Sequence, residues 1–122
     1  MNSNSITQLP RPTAILWDLD GTLIDQTAAI VCCYREVIVK MGYPQPDDDA
    51  IRRSLGGVMA ATMELFVEVE RMDEACKAFR KRFPEIMFDG LILLAGGIEL
   101  IERFYKARIP QVIFTNKHGD TA

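Results

Sequence analysis

Ile15-Leu16-Trp17-Asp18-Leu19-Asp20-Gly21-Thr22-Leu23-Ile24-Asp25 decides the fold of this 122-residue chain. It follows Pro10-Arg11-Pro12 and begins as an apolar run that stops at Asp18. The run Ala14-Ile15-Leu16-Trp17, bounded by prolines and then by Asp and Gly, predicts a strand buried on both faces. The polar segment from Asp18 to Thr22 is then the loop at its C-terminal end. Two carboxylates two positions apart beyond a buried strand repel each other unless a cation or a proton intervenes. A hard cation such as Mg2+ takes oxygen ligands and relieves that repulsion, and a phosphate ester brings more oxygens to the same place. One carboxylate can then attack phosphorus while the other serves as acid and base. Gly21 lets the backbone turn and come close to a phosphate.

Other readings of Asp-x-Asp exist. A calcium-binding EF-hand loop needs glycine at its sixth position, whereas Gly21 is the fourth residue here and no glutamate closes the loop. A sugar-nucleotide site or plain turn chemistry stays open on these four residues alone.

Outward from this loop, Thr27 to about Met41 has apolar residues at helical spacing, namely Ile30, Tyr34, Val37 and Met41. Asp25 or Thr27 is a natural cap and Gly42 a natural stop. Asp47-Asp48-Asp49 precede another helical stretch and suit capping and the helix dipole, with a metal site as the alternative. Helical patterning returns over Met59–Glu70 and Asp73–Phe83. The block 25–88 therefore reads as all-helical. Leu91-Ile92-Leu93-Leu94-Ala95 is a strand or a buried loop, Ile98–Ala107 a helix, and Val112-Ile113-Phe114 a second strand opened by Pro110. Ligands of open α/β sheets sit beyond the carboxyl ends of the strands, which gathers Asp18, Asp20, Thr115 and Asn116 at one place.

The chain carries 14 basic and 17 acidic residues, a formal charge of −3, and no basic stripe that would suit nucleic acid. No apolar run reaches the roughly 18 residues of a membrane span. Cys32, Cys33 and Cys76 lack disulfide or zinc spacing and read as buried apolar side chains. With no signal-peptide core at the N-terminus, the expected location is the cytoplasm.

The stretch 15–25, with its apolar strand before Asp18 and its acidic residue Asp25 after, resembles the first motif of haloacid dehalogenase-like (HAD) phosphatases. Phe114-Thr115-Asn116-Lys117 looks like their second motif. Gly96-Gly97-Ile98-Glu99-Leu100 is similar to the glycine turn of phosphoglycolate phosphatase-like and β-phosphoglucomutase-like members. The resemblance implies a Rossmann-like α/β core with a parallel sheet, formed by 13–24 and 89–122, and an inserted all-helical cap, 25–88. It implies Asp18 as nucleophile and Mg2+ ligand, and Asp20 as general acid/base with its backbone carbonyl as a second Mg2+ ligand. Gly21, Thr22, Thr115 and Asn116 would bind phosphate, and the substrate would be a small phosphorylated metabolite. Arg52, Arg53, Gly56 and Gly57 are candidates to touch substrate from the cap, against a solvated helix face and turn.

The family also expects a later lysine and a further acidic pair, which do not occur before Ala122. Lys117 follows the second motif directly and is not assigned that lysine's role. His118, the only histidine, reads as solvated. The expectation is a chain truncated after the second motif, with an unpaired strand at Val112–Phe114. It would be completed by a missing C-terminal segment, by a separate chain, or by self-association of a non-catalytic module. A phosphomutase is a further alternative.

Overall fold

The computed structural model describes residues 10–117 and 119. The expectation for His118 lies outside the described residues. Among the described residues, four short strands and five α-helices run in the order β1 (Ile15–Trp17), β2 (Ile24–Asp25), α1 (Thr27–Lys40), α2 (Asp48–Ser54), α3 (Met59–Met63), α4 (Met72–Ile86), β3 (Ile92–Leu93), α5 (Gly97–Lys106) and β4 (Gln111–Ile113). A 3-10 turn, Val69–Arg71, leads into α4.

β1 and β4 pair in parallel, with Ile15, Leu16 and Trp17 opposite Gln111, Val112 and Ile113. The parallel α/β arrangement is the expected one. Among the described residues β1 is the only partner of β4, so the open edge expected for this strand is present. The strand starts one residue earlier than the sequence suggested, at Gln111. Beyond it, the Phe114 N–H donates to the Trp17 carbonyl at 2.7 Å.

The expectation that β1 is buried on both faces is corrected. α5 covers one face only. There the Trp17 indole N–H donates to Gln111 Oε1 at 2.8 Å, Gln111 Nε2 donates to the Ile101 carbonyl, and Trp17 lies 6.2 Å from the Phe104 ring. On the other face Leu16 is 64% exposed, and Val112 and Phe114 are exposed beside it. An apolar strand signals a face that needs covering but cannot report whether a layer is there to cover it.

The buried core lies instead among the helices. Residues from Ala29 to Ile86 form one cluster, including Ile38, Ile51, Met63, Phe79 and Phe83. α1 packs on α4 and α2, and α3 packs on α4. Tyr34 and Phe79 rings meet at 4.6 Å, and Phe79 stacks on Phe83 at 5.5 Å. α1 ends as expected at Gly42, where φ is +91°. The Tyr43 N–H reaches the Ile38 carbonyl and the Gly42 N–H that of Val39, the paired bonds that close a helix on a left-handed residue.

Several local expectations are revised. The N-cap of α1 is Gln26, and Asp25 holds the helix start by accepting the Thr27 N–H at 2.9 Å. The helix expected over Met59–Glu70 stops at Met63 and tightens, with Phe66 N–H on the Met63 carbonyl, which turns Val67 into the core. α4 runs through Pro84 to Ile86. Proline costs a helix one backbone bond, and burial of Phe83 and Ile86 offsets it. The block 25–88 is not wholly helical, because Asp25 belongs to β2. That strand pairs antiparallel with β3, so the two segments flanking the helices hold each other. Leu91–Ala95 thus contains a strand, and an exposed one. Cys33 and Cys76 are buried as expected, while Cys32 is only half-buried.

Candidate functional site

The loop after β1 is organised around one backbone oxygen. The N–H groups of Thr22, Leu23 and Ile24 converge on the Leu19 carbonyl at 3.3, 3.0 and 3.2 Å, and Gly21 donates to the Ile24 carbonyl at 2.8 Å. Gly21 adopts φ +77°, a conformation L side chains rarely take, and so permits this tight wrap. Leu19 points inward and is buried, which leaves Asp18 and Asp20 on the outer side of the turn.

Asp18 is exposed. Its Oδ1 accepts the Leu19 N–H at 2.9 Å, and its Oδ2 accepts from the Thr22 hydroxyl at 3.4 Å. Asp20 is half-buried, and both its oxygens face Lys117 Nζ, at 3.3 and 3.2 Å. Residues 97 positions apart therefore meet, as the parallel register of β1 and β4 requires. Thr115 is half-buried and its hydroxyl accepts the Lys117 N–H at 3.1 Å, while Asn116 is exposed. So the loop after β1 and the loop after β4 are brought together, with Asp18, Asp20, Gly21 and Thr22 on one and Thr115 and Asn116 on the other.

Two contacts were not assigned from the sequence. Lys117 stands beside the second motif but its partner is set by strand pairing, so nothing local marks it. Gln26, buried at the junction of β2 and α1, donates from Nε2 to the Met87 carbonyl at 3.0 Å and ties the two flanking segments together. Asp25 is held below the usual carboxylate range by the Thr27 hydroxyl and N–H, which makes it a helix anchor.

The acidic triplet serves helix α2. Asp47 is its N-cap residue without a side-chain cap bond, Asp48 pairs with Arg35 at 2.6 Å, and Asp49 pairs with Arg52 at 2.8 Å. Among the described residues no group of three His, Cys, Asp or Glu side chains is placed to hold a metal ion. Arg52 and Arg53 are exposed on α2, and Arg52 is engaged by Asp49. A cleft of about 460 Å³ lies between α1 and α4, lined by Glu36, Lys40, Lys81 and Arg82 among others. The Asp18 loop does not contribute to it.

Residues 15–122 match the family model described as haloacid dehalogenase-like hydrolase. The chain belongs to the haloacid dehalogenase-like hydrolase family. It is similar to a tyrosine-protein kinase, PtkA, of Mycobacterium tuberculosis, 30% identical over 86 residues, covering 66% of this chain and 30% of that protein. It is also similar to phosphoglycolate phosphatase of Aquifex aeolicus, 31% identical over 71 residues, covering 58% of this chain and 33% of that protein. A solved haloacid dehalogenase-like hydrolase from Streptococcus pneumoniae superposes with a TM-score of 0.80 at 28% identity, covering 90% of this chain and 52% of that one. This HAD-like chain thus spans about a third of those curated relatives and about half of that solved hydrolase. No helix among the described residues is long and apolar enough to cross a membrane.

Proposed function

We propose that this HAD-like chain carries the nucleophile and phosphate-binding half of a Mg2+-dependent phosphomonoester hydrolase acting on a small phosphorylated metabolite. The observation that carries the reading is the exposed Asp18 carboxylate at the C-terminal end of β1, at the same sheet edge as Thr115. A nucleophile needs an open approach, and a buried or fully paired carboxylate would lack one. The donor set suits a hard cation. Asp18 presents carboxylate oxygens whose protein partners are a backbone N–H and a long hydroxyl contact, so lone pairs remain for an ion. Asp18 through its carboxylate and Asp20 through its backbone carbonyl would hold Mg2+, which when bound neutralises charge on the Asp18 carboxylate and the phosphoryl oxygens.

The remaining steps belong to the chain's own groups. An Asp18 oxygen attacks phosphorus and the ester oxygen leaves with a proton from Asp20, giving an aspartyl-phosphate. Asp20 then takes a proton from water, which releases phosphate and regenerates Asp18. The Thr115 hydroxyl and the Asn116 N–H donate to the phosphoryl oxygens, with Gly21 and Thr22 shaping the loop. Residues 13–24 and 89–122 serve as the core, and 25–88 as a cap that shields the reaction from water and selects substrate.

The test is Mg2+-dependent release of phosphate from an aryl phosphate, measured on the full-length protein. Asp18→Asn should abolish it. Surviving activity would remove Asp18 from the role of nucleophile.

A further inference from the structure

The proposed chemistry gives no task to the cation next to Asp20. Lys117 Nζ engages both oxygens of that carboxylate, and its side chain is only 8% exposed. Nζ also lies over the Phe83 ring, 5.2 Å from its centroid. Phe83 belongs to α4 and stacks on Phe79 within the helical core. The Lys117 N–H is held by Thr115 Oγ1. One ammonium therefore joins three segments: the loop after β1, the loop after β4, and helix α4. Enclosing an ammonium is costly unless a carboxylate and a π face replace its water, and here both do. A lysine with no task would instead keep its flexible stem and its charge in solvent.

We infer that Lys117 is a positioning residue that fixes the Asp20 carboxylate and couples its orientation to the seating of α4. A shift of the helical block at Phe83 is then felt at the acid/base group, with no substrate contact by Lys117 itself. The inference rests on the role proposed above for Asp20. A plain structural ion pair would hold the loop equally well but would show no dependence on Phe83.

The experiment uses the full-length protein and the variants Lys117→Arg, Lys117→Met, Phe83→Leu, and Lys117→Met with Phe83→Leu. Amide hydrogen exchange needs no turnover. Lys117→Met should speed exchange at Gly21 and Ile24 by about fivefold or more, while amides of α2 change by less than about twofold. Phe83→Leu should act at the same amides by about two- to threefold, and the double variant should fall short of the product of the two effects. Lys117→Arg should stay near the parent. Unchanged exchange at Gly21 and Ile24, uniform acceleration across the chain, or independence of the two sites would each overturn the coupling.

With an aryl phosphate and Mg2+, Lys117→Met should lower kcat about tenfold or more, with KM moved less than about threefold and Arg restoring the rate. Loss of kcat without rescue by Arg would count against positioning by charge. If Asp18→Asn keeps its phosphate release, the function fails separately, and hydrogen exchange still decides the coupling.

Discussion

Replacing Ile51 with alanine and, separately, Leu16 with alanine should cost this fold very different amounts. Ile51 is 0% exposed, on α2 where that helix packs against α1 and α3. Truncation there removes apolar contact and leaves a cavity between helices fixed by several other contacts, a loss of about 2–5 kcal/mol. Leu16 is 64% exposed, so only about a third of its surface is covered. With full burial of such a side chain contributing about 1.5–3 kcal/mol, its truncation should cost about 0.5–1 kcal/mol. In urea, where a small protein loses about 1–3 kcal/mol per molar, Ile51→Ala should lower the midpoint by about 0.7–5 M. At the same slope Leu16→Ala should lower it several-fold less, by about 0.2–1 M, and neither variant should change that slope. The assay is far-UV circular dichroism across a urea titration of the full-length protein. Equal losses for the two variants would refute the reasoning, because the face bearing Leu16, Val112 and Phe114 would then be covered in solution.

Acid stability should depend on Glu36. Arg82 Nε donates to it at 2.7 Å and holds its carboxyl below the usual range, so its contribution is present above the unfolded value, 4.5, and is lost as pH falls through the lower folded one. Glu36→Gln should flatten the fall of the urea midpoint below pH about 4.5, and an unchanged acid limb would deny the pair that role. The thiols should separate by burial. Desolvation raises all three, Cys33 up to about 12, but Cys32 is half-buried where Cys33 and Cys76 are buried, so its access should make it react first with an aromatic disulfide at pH about 8. Rapid labelling of all three thiols in the native protein would contradict the packing of α1 on α4.

Much of the site is legible in the order of residues along the chain. The change from apolar residues to Asp18-Leu19-Asp20-Gly21 is a local signal, since strand, turn and glycine follow from neighbouring residues. The helix from Thr27 with its stop at Gly42 is equally local. The 3-10 turn before α4 and the continuation through Pro84 are not, because each is settled by what Val67, Phe83 and Ile86 find to pack against. The split of the helical block from the α/β strands was expected, but not the pairing of Ile24–Asp25 with Ile92–Leu93 that closes its neck.

The amino-acid order alone determined which groups carry charge, which turns need glycine, and which segments alternate at strand or helix period. These depend on residues within a few positions of one another. Folding decided that Lys117 meets Asp20, that Phe83 lies over Lys117, and that Leu16 stays exposed while Ile51 does not. Those outcomes turn on strand register and on which layers stack in space, and both join residues too far apart along the chain for any local pattern to encode.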